Sequence, residues 1–375
     1  MSRGWLLIFL ALVVALAIVK SGVFAPGEDR PDGEQPGAVI LGSRPPSSRV
    51  EARSEGMPSR QALGQMIVAR FTGGEPSPAF LSRIRRGEIG SVILFEENLR
   101  GGDEAVTERV RRLQDAARAG SNPPLLVMVD QEGGTVKRLP GPPAKSAAAM
   151  TANDAEAEGE ATGSRLAALG IDVDLAPVAD VRHPGTFLGS RSFGSHPDEV
   201  ASLACAFAAG LRDQGVAATL KHFPGLGRTS VNTDEAPASV DASPGELRAD
   251  YAPYQRCAGE PLTLVMIDSA IYPHLTGSEP AVMSSDTYAR ELPRVGAEGV
   301  TISDDLEAPA VQNEVTPARR SINAGLDLLL YARTESVSAE AYDRLLEDVD
   351  SSKIDRATVE AAATEVLALK AELAP

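Results

Sequence analysis

The chain has 375 residues, 43% of them hydrophobic, so it can bury a full core in two ordinary domains or in one large barrel. It carries 52 acidic against 36 basic side chains, and the formal net charge of −16 argues against a nucleic-acid partner, which would need clustered lysine and arginine. Two cysteines, Cys205 and Cys257, exclude a framework of several disulfides and a cysteine-based zinc site. Because cysteine is common in protein cores, we expect two buried free thiols rather than one bridge.

The amino-terminal segment has the layout of an export signal. Residues 5–19 form an unbroken apolar run in which Arg3 is the only preceding charge, which is typical of a signal peptide or a signal-anchor over residues 1–25. Residues 26–55 are rich in proline, glycine, serine and charge, so we expect a disordered linker. The sequence therefore predicts a protein outside the cytoplasm, secreted or tethered to the membrane by this segment, with its folded domain over residues 56–375.

From residue 56 onwards, short apolar runs rich in β-branched side chains alternate with amphipathic stretches. Eight runs are predicted to be strands: MIVARF (66–71), SVILF (91–95), LLVMVD (125–130), DVDLA (172–176), VAATLKHF (216–223), LTLVMID (262–268), GVTISDD (299–305) and LDLLLYA (326–332). Residues 103–119, between two of these runs, have apolar side chains at helical spacing. Eight such alternations, with strands that are apolar on both faces, predict an α/β fold that is a single (β/α)8 TIM-type barrel. A doubly wound sheet is less favoured, because the turn after the first run lacks the G-x-G-x-x-G pattern.

Charged residues collect at the carboxyl ends of these runs, namely Asp130, Lys221, His222, Asp268, Asp304 and Asp305. In a barrel those ends meet on one face, so we expect these side chains to share one polar pocket. The four histidines show no metal-binding spacing and the chain has no G-x-S-x-G sequence, so zinc and serine hydrolase chemistry are both disfavoured. Clustered carboxylates and cations suit glycoside hydrolysis, whose transition state resembles an oxocarbenium ion.

Six segments, taken in order, resemble the barrel domain of family 3 glycoside hydrolases, and specifically the single-domain bacterial β-N-acetylhexosaminidases. They are VDQEGGTVKR (129–138), DLAPVAD (174–180), RSFG (191–194), KHFPGLG (221–227), SDDL (303–306) and AGLDLLL (324–330). The resemblance implies a retaining hydrolase of O-glycosyl bonds, with a carbohydrate substrate such as a cell-wall glycan. It implies neither a cofactor nor a metal, and we expect a monomer.

The resemblance also implies roles for individual residues. Asp304 corresponds to the catalytic nucleophile, which forms a glycosyl-enzyme intermediate. Four further residues correspond to those that bind sugar hydroxyls through charge-assisted hydrogen bonds: Asp130, Arg191, Lys221 and His222. Arg138 also matches the family, and we interpret it as mainly structural.

The loop after the fifth strand departs from the family pattern. The family usually reads KHFPGHG there and continues to an Asp-Ser-His motif whose histidine is the acid/base, whereas this chain has Leu226 and then Asn232-Thr233-Asp234. An aspartate starts from a pKa of about 3.9, so burial or a neighbouring charge has to raise it before it can act as an acid near neutral pH. Asp234 and Glu235 are adjacent and repel each other, and either is a candidate acid/base.

The missing histidine leaves two alternatives open. One is a non-catalytic glycan-binding barrel that has lost its acid/base. The other is a glycoside phosphorylase, in which phosphate replaces water and Arg228 is a candidate phosphate contact.

Overall fold

The computed structural model describes residues 57–312 and 316–374. Eight parallel strands lie side by side: β1 (Ile67–Ala69), β2 (Ser91–Leu94), β3 (Leu126–Val129), β6 (Val173–Asp174), β7 (Ala217–Phe223), β8 (Thr263–Ile267), β9 (Thr301–Ser303) and β10 (Leu329–Tyr331). A short antiparallel hairpin of β4 (Gln131–Gly133) and β5 (Val136–Lys137) follows β3. Each parallel strand falls within one of the eight predicted runs, whereas the hairpin was not predicted.

The parallel strands pair in the order β10, β1, β2, β3, β6, β7, β8 and β9. Among the described residues, the first strand therefore pairs with the last, with Ile67 opposite Leu329. An isolated parallel bridge between Ile302 and Leu328 joins the two ends of this row. The sheet thus closes on itself, and the prediction of an α/β barrel of the TIM type is confirmed.

The described residues form ten α-helices: α1 (Ser59–Gln65), α2 (Pro78–Arg85), α3 (Asp103–Ala119), α4 (Ala155–Ala168), α5 (Pro197–Asp213), α6 (Pro244–Ala249), α7 (Ala252–Cys257), α8 (Pro317–Ala324), α9 (Glu335–Asp350) and α10 (Arg356–Leu373). The helix predicted over residues 103–119 is α3. Helices α4 and α5 approach closely at Gly159 and Gly210, where a Cβ would meet backbone oxygens at 2.2 and 2.3 Å.

Alternate strand residues belong to two apolar clusters. Val68, Ile93 and Met128 lie in the smaller cluster, which consists largely of strand residues and fills the barrel interior. Their neighbours Ile67 and Val92 lie in the larger cluster, which also contains the buried faces of the helices. Both faces of each strand are therefore covered, which explains why the runs are apolar throughout.

Cys205 and Cys257 form a disulfide bond, so the expectation of two free thiols is wrong. Packing of α5 against α7 brings the two Cα atoms to 5.9 Å, within the range of about 4.4–6.8 Å that a disulfide requires. Both positions are buried, as expected. Burial alone does not distinguish a thiol from a bridge, and the pairing depends on how two helices pack.

The predicted export signal over residues 1–25 and the linker over residues 26–55 lie outside the described residues. In the part of the chain that the structure describes, no helix has both the length and the apolar character needed to span a membrane. The boundary of the folded domain at residue 56 stays a prediction.

Candidate active site

A cavity of about 360 Å³ opens at the carboxyl ends of the barrel strands. This volume is within the range of about 300–1,000 Å³ that is usual for small-molecule sites. Most of the lining is charged, and the charged residues are Arg70, Asp130, Glu132, Arg138, Arg191, Lys221, His222, Asp234, Asp304, Asp305 and Arg333. Of the residues that we expected in a shared pocket or assigned a role, Asp268, Arg228 and Glu235 are not among those that line the cavity.

Parallel strands of similar register position these side chains. Asp130 directly follows β3, Lys221 and His222 lie near the end of β7, and Asp304 directly follows β9. The backbone N–H of Asp304 donates to the carbonyl of Ile267 on β8 at 2.9 Å, which continues the ladder into the cavity wall. The strand ends therefore meet on one face, as in other barrels of this type.

Lys221 is the centre of a buried ionic network. Its Nζ lies 2.8 Å from Oδ1 of Asp130 and 2.7 Å from Oε1 of Glu132. Glu132 also accepts two hydrogen bonds of 2.8 Å from Nε and Nη2 of Arg191. Burial alone would raise the pKa of Glu132, but Lys221 and Arg191 outweigh it and lower this pKa to about 2. Burial alone would lower the pKa of Lys221, but Asp130 and Glu132 raise it, so both members of the pair are charged at neutral pH.

Glu132, which lies within the segment VDQEGGTVKR (129–138), has no role that the sequence predicts. The residue lies on β4, and Gly133 and Gly134 after it have φ angles of 90° and 60°, which allow the chain to turn back into β5. A Cβ on Gly133 would meet the carbonyl oxygen of Lys145 at 2.3 Å. The adjacent glycines were the available signal, because such a pair favours a tight turn that folds an acidic side chain back toward the strand end.

Arg138, which we interpreted as mainly structural, is one of the residues that line the cavity. Its guanidinium lines the cavity, with its carbon 5.1 Å from the ring centre of Phe95 and Nη2 3.7 Å from Oδ2 of Asp130. Its Nε has no hydrogen-bond partner among the residues that the structure describes. The side-chain oxygen of Gln131 fixes the backbone directly after β5 by accepting a hydrogen bond from the backbone N–H of Arg138 at 3.0 Å. Arg138 therefore lies at the cavity beside Asp130, with a buried Nε that donates to no described residue.

His222 is oriented by a buried carboxylate. Its Nδ1 lies 2.7 Å from Oδ2 of Asp180, and Oδ1 of Asp180 accepts from the backbone N–H of Leu226 at 2.7 Å. Since a carboxylate accepts, we assign the Nδ1–H tautomer, which leaves Nε2 for the cavity. Leu226 is buried, so the position at which the family has a histidine is apolar here and belongs to the core.

Asp304 is partly buried in the cavity wall. Its Oδ1 accepts from the backbone N–H of Asp305 at 2.8 Å, and its Oδ2 accepts from the hydroxyl of Thr233 at 3.4 Å. Burial and then repulsion from Asp234 raise the pKa of Asp304, while His222 acts in the opposite direction. Asp304 and Asp234 therefore influence each other's protonation.

Asp234 lies on the loop between β7 and α6 and lines the same cavity. Although 54% of its side chain is exposed, partial burial and then repulsion from Asp305 raise the pKa of Asp234, while His222 opposes them. Glu235 is exposed, and its Oε1 accepts from the side chain of Asn232 at 3.5 Å. The structure thus brings Asp234, and not Glu235, into the cavity with Asp304.

Two further charged groups lie away from the cavity. Arg228 donates from Nε to Oδ2 of Asp250 at 2.7 Å and does not line the cavity. In the described part of the chain, one group of carboxylates is close enough to share a metal ion: Glu156, Glu160 and Asp213, all of them exposed. Neither group contributes to the chemistry of the cavity. Asp268 also lies away from the cavity: it is fully buried and accepts a hydrogen bond from the hydroxyl of Tyr272.

The arrangement can perform acid/base and nucleophilic chemistry on a polyhydroxy ligand. Asp304 and Asp234 are two carboxyl groups with raised pKa values in one cavity. When one is ionised and the other protonated, the first can attack a carbon atom and the second can donate a proton. The charged donors and acceptors around them are suited to binding hydroxyl groups.

Comparison with known proteins gives one family and several similar structures. Residues 59–369 match the family model "Glycosyl hydrolase family 3 N terminal domain". The chain is 32% identical to the Beta-hexosaminidase LpqI of Mycobacterium tuberculosis, over 97% of this chain and 96% of that protein. It is 33% identical to an uncharacterized secreted glycosyl hydrolase of Arthroderma benhamiae, over 74% of this chain and 83% of that protein.

Among solved structures, a glycoside hydrolase family 3 β-N-acetylglucosaminidase from Paenibacillus sp. superposes with a TM-score of 0.81 at 32% identity. That match covers 85% of this chain and 63% of the Paenibacillus chain, so this chain spans less than two thirds of that protein. The structure of Mycobacterium tuberculosis LpqI superposes with a TM-score of 0.75 at 30% identity, covering 88% of this chain and 98% of that one.

Proposed function

Because the chain belongs to glycosyl hydrolase family 3, we propose that it is a β-N-acetylhexosaminidase-like hydrolase that cleaves O-glycosyl bonds with retention of the anomeric configuration. The observation that carries this proposal is the pair formed by Asp304 and Asp234, two carboxyl groups of raised pKa that line one cavity. A retaining mechanism needs one carboxylate that attacks and one carboxylic acid that donates a proton.

In the first step, a carboxylate oxygen of Asp304 attacks the anomeric carbon and forms an ester bond to the sugar, while the bond to the leaving oxygen breaks. Asp234 gives its proton to that oxygen, so the leaving group departs as an alcohol. This requires Asp304 to be ionised while Asp234 is protonated. The pKa values of both groups are raised, and at Asp304 His222 and then Lys221 oppose that rise, while burial and then repulsion from Asp305 favour the protonated form of Asp234.

In the second step, a water molecule attacks the anomeric carbon of the glycosyl-enzyme. Asp234, now ionised, takes a proton from this water as the ester bond to Asp304 breaks. The sugar leaves with its original anomeric configuration, since each step inverts it once. Asp234 is then protonated and Asp304 ionised again.

We assign the acid/base role to Asp234 rather than to Glu235. Asp234 lines the cavity and has a raised pKa, whereas Glu235, the next residue, does not line the cavity. An aspartate can replace a histidine in this role only where its pKa is raised, because an ordinary aspartate is ionised near neutral pH.

Sugar hydroxyls are bound by Asp130, Arg191, Lys221 and His222, the four residues that the family resemblance implies. Arg138 is added to them, because it lines the cavity and its Nη2 lies 3.7 Å from Oδ2 of Asp130. Glu132 does not bind the sugar directly in this scheme. It holds Lys221 and Arg191 in place through the contacts of 2.7–2.8 Å, and charge-assisted hydrogen bonds of this kind are about twice as strong as neutral ones.

The proposed substrate is a glycan that contains N-acetylglucosamine, such as a cell-wall fragment, outside the cytoplasm. One similar protein carries the name of a secreted glycosyl hydrolase. The disulfide between Cys205 and Cys257 is consistent with an oxidising compartment. The sequence predicts that the apolar run over residues 5–19 either tethers the protein to the membrane or is removed as a signal peptide.

The test is a panel of nitrophenyl glycosides hydrolysed by wild type and by Asp304→Ala. We expect turnover that is highest for the β-N-acetylglucosaminide, needs no phosphate and is lost in Asp304→Ala. Asp241→Ala, a change at an exposed aspartate whose partner is His274 on the surface, is the matched control and should leave the rate unchanged. Sugar binding without turnover would instead support a non-catalytic glycan-binding barrel, and turnover that requires phosphate would support a phosphorylase.

A further inference from the structure

Arg333 lies between two loops at the cavity. Its Nε donates to Oδ2 of Asp305 at 2.7 Å, and its Nη2 donates to the backbone carbonyl of Asp234 at 3.0 Å. The same Nη2 lies 4.0 Å from Oδ1 of Asp234. One guanidinium thus connects the residue next to Asp304 with the loop that carries Asp234.

The neighbours of Arg333 fix its position. Glu307 accepts from the backbone N–H of Arg333 and from the hydroxyl of Thr334, both at 2.8 Å. Asp305 is fixed in turn, because its Oδ1 accepts from the backbone N–H of Glu307 at 3.0 Å and from that of Ala332 at 3.2 Å. Contacts at the ends of β9 and β10 therefore hold Arg333 and Asp305 in place, independently of the contact between Arg333 and the loop.

The loop has weaker connections of its own at this point. The backbone N–H of Asp234 donates to Oδ1 of Asn232 at 3.1 Å, which is a contact within the loop. Thr233 accepts from the backbone N–H of Ala310 at 3.4 Å, and its hydroxyl donates to Asp304 at 3.4 Å. In the described ranges, the carboxylate of Asp234 accepts no hydrogen bond. The bond from Arg333 is therefore the shortest of those that join this part of the loop to the strand ends.

We propose that Arg333 is the positioning residue of the acid/base, holding the carboxyl group of Asp234 at the cavity in the geometry that proton transfer requires. The inference rests on the proposed function, because it assumes that Asp234 donates the proton. Arg333 acts through Asp234 and is not itself a catalytic residue. Its charge has a second consequence, since it lowers the pKa of Asp234 and partly offsets the effect of Asp305.

The test compares Arg333→Met and Arg333→Lys with wild type. The readout is kcat/KM across pH for two β-N-acetylglucosaminides, one with a phenol leaving group and one with 2,4-dinitrophenol, which departs without protonation. Arg248→Met is the matched control, because Arg248 is similarly exposed and is paired with Glu291 at 2.7 Å, away from the cavity. Melting temperature and circular dichroism are measured for each variant.

For Arg333→Met we expect kcat/KM to fall by about 10- to 100-fold with the phenol substrate, and little with the dinitrophenol substrate. Loss of the cation raises the pKa of Asp234, so the basic limb of the pH profile moves to higher pH while the acid limb stays. Arg333→Lys keeps the positive charge but loses the planar guanidinium that donates to Asp305 and Asp234 together. We expect its kcat/KM with the phenol substrate to fall, with little change in the basic limb. The control should match wild type in both readouts.

An equal loss for both substrates with an unchanged pH profile would overturn the proposal, because it would mean that Arg333 binds the sugar or only stabilises the fold. Wild-type rates in the Arg333 variants would overturn it as well. If Arg333→Met does not fold, the leaving-group dependence of Arg333→Lys decides. If Asp304→Ala hydrolyses the substrates at the wild-type rate, or if wild type does not hydrolyse them at all, the proposed function and this inference are both wrong.

Discussion

At the scale of single residues, Asp234 differs from an imidazole in the charge that it carries after it loses its proton. A histidine acid becomes neutral, whereas Asp234 becomes an anion in the same cavity as Asp304 and Asp305. That second anion raises the pKa of Asp304. The pair therefore titrates in two steps that belong to both groups. The active form, in which the pair holds one proton, exists at pH values between these two steps.

Asp234→Asn should remove the basic limb of the pH profile of kcat/KM and leave the acid limb in place. The acid limb reports ionisation of Asp304 while residue 234 is uncharged, and asparagine is uncharged as well. The basic limb disappears, because the proton whose loss it reports is gone. The rate with poor leaving groups should fall by about 10²- to 10⁴-fold. Glu235→Gln is the matched control and should keep both limbs, and an unchanged profile in Asp234→Asn would contradict the assignment.

At the scale of elements, strands could be predicted from local patterns, but the contacts between their end loops could not. The run LDLLLYA (326–332) predicts β10 without any knowledge of its neighbours. Arg333 directly follows that run, and the sequence does not distinguish it from other charged residues at strand ends. Its contact with Asp234 joins positions that are 99 residues apart, so only the folded barrel brings them together.

Glu132 shows the same limit in another way. It belongs to the segment VDQEGGTVKR (129–138), which identified the family, yet its role depends on the hairpin of β4 and β5. That hairpin has only three and two residues in its strands, too few for an apolar alternation to be visible in the sequence. Its contact with Lys221 and Arg191 is therefore a result of the structure.

The last helix, α10, is attached to the barrel by a buried lysine. Nζ of Lys370 donates to Oε1 of Gln65 at 2.7 Å and to the carbonyl of Gly90 at 2.9 Å. Burial lowers the pKa of Lys370 to about 7, although Asp172 acts in the opposite direction. Below this pKa the folded protein holds a buried charge. As the pH rises above 7, the folded state loses this proton before the unfolded state does, so the free energy of unfolding rises with pH.

Lys370→Met should therefore change stability in a pH-dependent way. The variant lacks the buried charge, so its free energy of unfolding minus that of wild type should be larger at pH 6 than at pH 9, by about 3 kcal/mol. Urea denaturation at the two pH values measures this difference. Lys353→Met, at an exposed lysine paired with Asp348, is the control and should show no such change. The same difference at both pH values would contradict the argument.

At the scale of the whole molecule, the barrel could be predicted because its signal is repeated eight times along the chain. One short apolar run is ambiguous, but eight in alternation with helical stretches leave few architectures. The disulfide has no repeated signal. Cys205 and Cys257 are 52 residues apart, and only the packing of α5 against α7 shows that they meet.

Replacing both cysteines, as Cys205→Ala with Cys257→Ala, should lower stability without affecting catalysis. Closing a loop of this length, with a separation of 52 residues, restricts the unfolded chain and contributes about 4 kcal/mol to stability. Neither cysteine lines the cavity, so kcat/KM should match that of wild type. Urea denaturation of the oxidised wild type and of the variant measures the effect. Equal midpoints would mean that the bridge contributes nothing to stability.

The central claim is that Asp304 forms a covalent bond to the sugar. The most direct measurement is mass spectrometry of the protein after incubation with an activated fluoro-glycoside, in which fluorine slows release of the glycosyl-enzyme more than its formation. We predict that the mass of the protein increases by one fluoroglycosyl unit and that the modified peptide carries the unit on Asp304. An unmodified protein that still hydrolyses nitrophenyl glycosides, or an adduct on another residue, would contradict the account.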